Sequence, residues 1–249
     1  MNKPRVAVHK FSSCDGCQLA FLNAGPALLT LAERVELVHF AEAGPVEEDA
    51  KVDVAFVEGS IATHHDLERI QAVRRNSGYV IALGACATSG GIQALRNTAD
   101  LADWQAAIYA QPEHIDSLER SEPIDAHIEV DFHIWGCPVN PAQVFAVLDD
   151  LLAGTTPRLP SGSVCHECKR AGHRCVLVHD RQPCLGPVTR CGCGALCPGL
   201  ERACYGCFGP SAEANESALT DQFVALGLSP VQARQRLNFI HAGAGEAQP

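Results

Sequence analysis

Tyr79-Val-Ile-Ala-Leu-Gly-Ala-Cys86-Ala-Thr-Ser-Gly-Gly91 is a short apolar run that delivers a cysteine into a glycine-framed turn. The arrangement occurs twice more. Val6-Ala-Val-His9 leads to Cys14-Asp-Gly-Cys17, and Phe132-His-Ile-Trp135 leads to Gly136-Cys137-Pro138. Around these, runs of strand length fall at 4–9, 35–40, 52–57, 79–83 and 126–135, with helical periodicity at 18–32, about 63–76 and 141–154. Strands alternating with helices at this spacing specify an α/β fold with a parallel, doubly wound sheet. The carboxyl ends of such strands share one edge, where open α/β sheets bind ligands. Cys14, Cys17, Cys86 and Cys137 are therefore expected to converge as one tetrathiolate site. Glu58, in Glu58-Gly59-Ser60, ends a strand on the same edge; it is a candidate proton relay and equally a capping or solvated carboxylate.

The other nine of the thirteen cysteines lie between Cys165 and Cys207, interleaved with glycine and proline. No apolar run in that segment is long enough for a core of its own, so its order is expected to come from cross-links or metal bonds. Disulfides, zinc and iron–sulfur clusters are the three options. An odd cysteine count and the lack of an apolar signal region argue against disulfides and for the cytoplasm. C-x-x-C pairs such as Cys165/Cys168 and Cys204/Cys207 suit a Cys₄ zinc site as well as iron. The dispersed four-cysteine site in the α/β part favours iron–sulfur, and thirteen is three sets of four with one remainder. His166 and His173 lie among these cysteines, either as hydrogen-bond donors to cluster sulfur or as surface histidines.

The chain has 249 residues, enough for a medium domain and a smaller one. The expected division is 1–154, 155–212 and a helical tail 213–249, with the Thr155 to Gly162 stretch as boundary. Residues 92–126 read only as a polar insertion with some helix. Mean hydropathy is near zero, and no apolar stretch is long enough for a membrane helix. The formal net charge of −10 argues against nucleic acid as a partner. Residues 155–210 run the other way, with seven Lys/Arg against three Asp/Glu. Basic residues there would offset the negative charge of thiolates and sulfides.

With these motifs in view, the chain resembles the small subunit of [NiFe] hydrogenases, particularly the cytoplasmic sulfhydrogenase or NAD(P)-linked type (delta subunit). The resemblance runs from Val6 to about Pro210. Its carriers are Cys14-Asp-Gly-Cys17, Glu58-Gly-Ser60, Gly84-Ala-Cys86 through Gly91, Gly136-Cys137-Pro138, Cys165-His-Glu-Cys168, Cys184-Leu-Gly-Pro187 and Cys204-Tyr-Gly-Cys207. One C-x-x-C is weak; the ordered set is specific.

The resemblance implies a flavodoxin-like sheet domain followed by a small, irregular iron–sulfur domain, and three [4Fe–4S] clusters. Cys14, Cys17, Cys86 and Cys137 would hold the proximal cluster, facing the nickel–iron site of a large subunit. Cys165, Cys168, Cys175 and Cys184 would hold the distal one, and Cys193, Cys197, Cys204 and Cys207 the medial one. Cys165 stands where many periplasmic relatives have histidine, and Cys197 where membrane-linked relatives often have proline. The family's count of nine residues from Cys184 selects Cys193 and leaves Cys191 spare. The subunit would relay electrons between that large subunit and iron–sulfur/flavin diaphorase subunits. Sulfur, polysulfide or heterodisulfide reduction is the alternative, and a zinc-stabilised scaffold a remoter one. A quinone-reductase subunit shares the α/β domain but characteristically has adjacent cysteines at the first position and lacks the C-terminal cluster module; neither feature holds here. No G-x-G-x-x-G and no P-loop occurs, so nucleotide chemistry is expected on other subunits.

Overall fold

The structure is a computed structural model that describes residues 3–243. The chain divides into two compact units, Met1–Val144 and Phe145–Pro249.

In the first unit, five strands form one sheet: β1 (Arg5–Lys10), β2 (Glu36–Phe40), β3 (Val52–Glu58), β4 (Ser77–Leu83) and β5 (Phe132–Ile134). Their order is β2-β1-β3-β4-β5 and every neighbouring pair is parallel. This is the flavodoxin-like order, with its reversal point between β1 and β3. Parallel strands covered on both faces must be apolar throughout. Accordingly Val54 to Val57 of β3 and Val80 to Leu83 of β4 are buried without alternation.

The helices of this unit are α1 (Gly16–Leu22), α2 (Pro26–Arg34), α3 (His64–Asn76), α4 (Gly84–Ser89) and α5 (Leu101–Ile108). Phe21 of α1 meets Phe56 edge-on at 5.3 Å between ring centroids and Phe40 at 6.0 Å. Aromatic edges of this kind fix a helix against a sheet. Phe21 lies one helical turn beyond Cys17, so the contact also fixes where that cysteine points. On the opposite face Ile70 and Val73 of α3 pack with Ala55, Val57 and Ala82. Thr63 and Asp66 start α3 with a reciprocal capping box.

The expected helix over 18–32 is two helices. Gly25 at φ 58° ends the first path and Pro26 opens α2. The expected strand over 126–135 is confined to Phe132–Ile134, with Ile124–Ala126 forming a 3₁₀ turn. Residues 92–126 hold a 3₁₀ helix, Gly91–Thr98, followed by α5, none of whose residues is buried.

α6 (Pro141–Leu152) crosses the boundary, and the second unit then has α7 (Val164–Arg170), α8 (Leu196–Gly199), α9 (Glu216–Ala225) and α10 (Pro230–Leu237). The cysteine-rich segment does share a core, contrary to the expectation that cross-links alone would order it. Val164, Val176, Leu185 and Val188 pack with Cys184, Cys204, and Leu219, Phe223 and Ala233 from α9 and α10. The tail helices thus supply the apolar surface that the segment lacks. Residues 244–249 of the expected tail lie outside the described residues. Among the described residues no helix is long and apolar enough to cross a membrane.

Candidate functional site

Four strand ends build the first site. Phe11 continues β1 by donating its N–H to the Glu58 carbonyl at 2.8 Å, and the chain then turns through Asp15 at φ 64° into α1. Cys14 sits in this turn and Cys17 in the first turn of α1, not in an open loop. Cys86 lies in α4, directly after β4, and Cys137 follows β5. The structure brings Cys14, Cys17, Cys86 and Cys137 together at the carboxyl edge of the sheet, beside the β1/β3 reversal. Burial pushes the Cys17 thiol well above its usual range, with Glu58, Cys86 and Cys137 adding to the rise. Cys86 is pushed up to about 12 by burial, then by Cys137, Cys14 and Glu58. Cys137 is raised by burial and then by Cys14 and Glu58.

Glu58 is 2% exposed. Its Oε1 accepts the Cys17 N–H at 3.0 Å and its Oε2 the Gln18 N–H at 3.2 Å. A carboxylate there satisfies the free donors at the start of α1 and holds Cys17 in place. Burial raises the Glu58 carboxyl above its ordinary value, and the hydrogen bonds from Cys17 and Gln18 oppose the rise. This geometry is that of a capping carboxylate.

The second unit brings one set of four cysteines together and pairs Cys193 with Cys204 of the other. Cys165, Cys168, Cys175 and Cys184 line one small cavity with Val164, Leu177 and Pro198. Burial raises Cys165 to about 11, with Cys184, Cys168 and Cys175 contributing. Cys204 is pushed to about 12 by burial, with Cys184 and Cys193 as charged neighbours. Cys197 lies in α8 and Cys207 in the Gly206 turn. The two groups abut, because the Cys204 N–H donates to the Cys184 sulfur at 3.2 Å. Cys191 points elsewhere and donates its thiol to the Ser161 carbonyl at 3.3 Å.

Crowded, buried thiols that raise one another are poor thiolates, and metal ions are what deprotonate such groups. The surroundings fit an iron–sulfur group. Gly84 (φ 85°) and Gly91 (φ 58°) clear the space beside the sulfurs: a Cβ on Gly84 would collide with the Cys17 sulfur, and one on Gly91 would lie 2.9 Å from that of Cys86. Backbone N–H donors face the sulfurs too, from Gly186 and Cys204 to Cys184, from Gly206 to Cys204 at 3.4 Å, and from Ala195 and Leu196 to Cys193. Such bonds favour the charged form of a ligand. Among the described residues no three His, Cys, Asp or Glu side chains converge closely enough to hold a single metal ion.

Some contacts were not foreseen from sequence. Gln93 donates to the Ser12 carbonyl at 2.6 Å and bonds to the Cys86 thiol. Glu167 accepts the Gly192 N–H at 3.0 Å, tying α7 to the loop before Cys193. Thr189 Oγ1 lies 3.7 Å from the Cys204 sulfur, and His241 Nε2 bonds the Cys207 carbonyl at 3.2 Å. Only Glu167 carried a signal, its place between Cys165 and Cys168. His166 packs against Gly162 and His173 against Gly199.

The family of the NADH ubiquinone oxidoreductase 20 kDa subunit matches residues 14–151. The delta subunit of sulfhydrogenase 2 from Pyrococcus furiosus is 38% identical over 211 residues, 85% of this chain and 88% of the relative. An F420-non-reducing hydrogenase vhu subunit from Methanocaldococcus jannaschii is 32% identical over 98% of this chain and 89% of its own. Among solved structures, a chain of an NAD⁺-reducing [NiFe]-hydrogenase in its H₂-reduced state superimposes with a TM-score of 0.59 at 28% identity, over 64% of this chain and 96% of that one. The chain belongs to the NADH ubiquinone oxidoreductase 20 kDa subunit family and, within it, to the small, electron-transferring subunits of [NiFe] hydrogenases, part of complexes that act as oxidoreductases on H₂.

Proposed function

We propose that this subunit relays electrons through three [4Fe–4S] clusters, between the nickel–iron site of a large subunit and acceptor subunits, in the cytoplasm. Cys14, Cys17, Cys86 and Cys137 hold the proximal cluster in a domain spanning 1–154. Cys193, Cys197, Cys204 and Cys207 hold the medial one, and Cys165, Cys168, Cys175 and Cys184 the distal one, in a domain spanning 155–212. Each cluster, when bound, takes up and releases one electron at a time. The chain's own part is to hold and orient the sulfurs, donate N–H bonds to them and exclude water. Glu58 fixes Cys17, and in this reading its carboxylate also stands ready to hold a proton beside the large subunit.

The observation that carries the reading is the meeting of four cysteines, remote in sequence, at the carboxyl edge of one sheet. A zinc-stabilised scaffold would have no use for that site. For the acceptor, NAD(P)-linked diaphorase subunits are one reading. Sulfur, polysulfide or heterodisulfide chemistry is a second, favoured by a specific observation. Nearly the whole NAD⁺-reducing hydrogenase chain matches only 64% of this one, whereas the sulfhydrogenase and F420-non-reducing relatives match 85% and 98%. Those relatives therefore share more of this chain's length.

Replacing Cys168 and Cys184 together by alanine tests the relay. In an assembled, nickel-loaded complex, H₂-dependent reduction of the acceptor should collapse while hydrogen isotope exchange persists. Full acceptor reduction in that variant would remove the distal set from the route.

A further inference from the structure

The tail reaches back to both cysteine groups of the second unit. Ser229 and Gln232 start α10 with a reciprocal capping box, and Pro230 occupies its first turn. Ala233 is fully buried in the core that holds Cys184, Leu185 and Cys204, and Leu237, one turn on, packs there too. Arg236 lies three residues beyond Ala233 and shares that face. Its Nε donates to the Pro183 carbonyl, directly before Cys184, at 3.3 Å. Its guanidinium stands 4.6 Å from the centroid of the Tyr205 ring, and Tyr205 lies between Cys204 and Cys207 in the chain. Past the end of the helix, His241 bonds the Cys207 carbonyl.

The two ligand loops are themselves joined. The Leu185 N–H donates to the Cys204 carbonyl at 3.1 Å and the Ala203 N–H to Gln182 Oε1 at 3.1 Å, on either side of the bond from the Cys204 N–H to the Cys184 sulfur. Arg236 closes this seam with one hydrogen bond and one cation–π contact. Among the described residues it makes no ion pair, so no carboxylate absorbs its charge. Burial raises the Cys184 thiol and Cys175 adds to the rise, while the N–H bonds from Cys204 and Gly186 and the charge of Arg236 oppose it. The potential of an iron–sulfur group follows the charge and hydrogen bonding around its sulfurs. A fixed cation favours the form with one more electron, because that form carries one more negative charge.

We propose that Arg236 is a positioning residue of the relay: it ties the Cys184 loop to the Cys204–Cys207 loop and, by its charge, holds the distal cluster at a higher potential than a neutral residue there would allow. The proposal rests on the reading in which Cys165, Cys168, Cys175 and Cys184 hold that cluster. The basic residues expected to offset cluster charge lie within 155–210. Arg236 lies outside that segment, on a helix that carries no cysteine.

The test uses the purified hydrogenase complex, with iron measured per chain and an EPR-monitored redox titration of its clusters. The distal signal is the one absent from the Cys168→Ala, Cys184→Ala variant. Arg236→Gln should move its midpoint to more negative potential. The reduced-to-oxidised ratio at the unaltered midpoint should fall about three- to tenfold, a shift of up to about 59 mV. Arg236→Lys keeps the charge and gives up the planar stacking; it should recover at least about half of the shift at unaltered iron content. Arg234→Gln removes the same charge from an exposed position on α10 and should change the ratio less than about 1.5-fold. A packing role alone would move iron content or stability and leave the potential where it was. An unshifted midpoint in Arg236→Gln at full iron, an equal shift in Arg234→Gln, or iron lost from both Arg236 variants would overturn the proposal. If Arg236→Gln alone loses iron, an unaltered distal midpoint in Arg236→Lys supports the proposal and a midpoint moved as far as a neutral residue would move it overturns it. Absence of every iron–sulfur signal from the unaltered complex would overturn the cluster reading itself, before any variant is compared.

Discussion

Cys191 and Cys193 stand two residues apart in a chain where spacing alone leaves either available as a ligand. Their environments separate them. The Cys191 thiol donates to the Ser161 carbonyl at 3.3 Å; the Cys193 sulfur lies 4.0 Å from Glu167 Oε2 and also accepts from the N–H groups of Ala195 and Leu196. Burial raises Cys193, and those backbone donors oppose the rise by favouring its charged form. Cys191→Ala should therefore keep iron content and cost at most about 1 kcal/mol in stability, the worth of one weak hydrogen bond. Cys193→Ala should lose or convert one cluster, read by EPR. Equal iron loss in both variants would contradict this division. At this scale the candidate cysteines stand out in the sequence because cysteine in dense, spaced sets has few structural alternatives in a chain of this length. Gln93, Thr189 and His241 were not legible, since a single polar residue carries no spacing signal and its role comes from a partner distant in sequence.

The elements show the same boundary between pattern and geometry. β1, β3 and β4 were legible, because strands buried on both faces leave unbroken apolar runs. The helix expected over 18–32 ran past its true break at Gly25, since periodicity continues across a bend that only the backbone reveals. α7 and α8 went unread, because four to seven residues carrying ligands do not display a helical stripe. α4 is the element on which the first site turns. It starts at Gly84 with φ 85°, against the Cys17 sulfur. That conformation disfavours any side chain, and the space beside it is taken. Gly84→Ala should thus displace Cys17 and cost on the order of 1–3 kcal/mol of backbone strain, before any clash. Its predicted result is selective loss of one cluster, about four iron per chain on the proposed arrangement, with the remaining EPR signals intact. Unchanged iron in Gly84→Ala would show that α4 is not part of the cradle.

Across the molecule, among the described residues, His9, His39 and His241 are buried, and burial disfavours their charged form. Burial lowers His9 to about 3, with His39 and Arg69 adding to the effect. Burial also lowers His39 and brings His241 to about 4. A histidine with a lowered folded value binds its proton more readily in the unfolded chain. The stability it contributes is full above about pH 6.5 and is lost as pH falls from there towards the folded value. The first unit should accordingly unfold more readily with each step down from pH 6.5. His9→Gln should remove up to one proton from that dependence, about 1.4 kcal/mol per pH unit. Denaturant midpoints measured between pH 6.5 and 4.5 check this, and an unchanged slope would contradict it.

At the same scale, the start of the cysteine-rich stretch could be read in the sequence, while the compact units divide between Val144 and Phe145, inside α6, which the sequence reading assigns to the first domain. The packing of α9 and α10 into the cysteine-rich core could not be read, because their apolar residues are too few to declare a partner. The account's central claim is that twelve of the thirteen cysteines hold three [4Fe–4S] clusters. Iron, acid-labile sulfide and zinc, measured per chain on anaerobically purified protein freed of its partner subunits, test it most directly. About twelve iron and twelve sulfide, with negligible zinc, is the predicted result. Zinc as the dominant metal, or about four iron with the second unit metal-free, would contradict it.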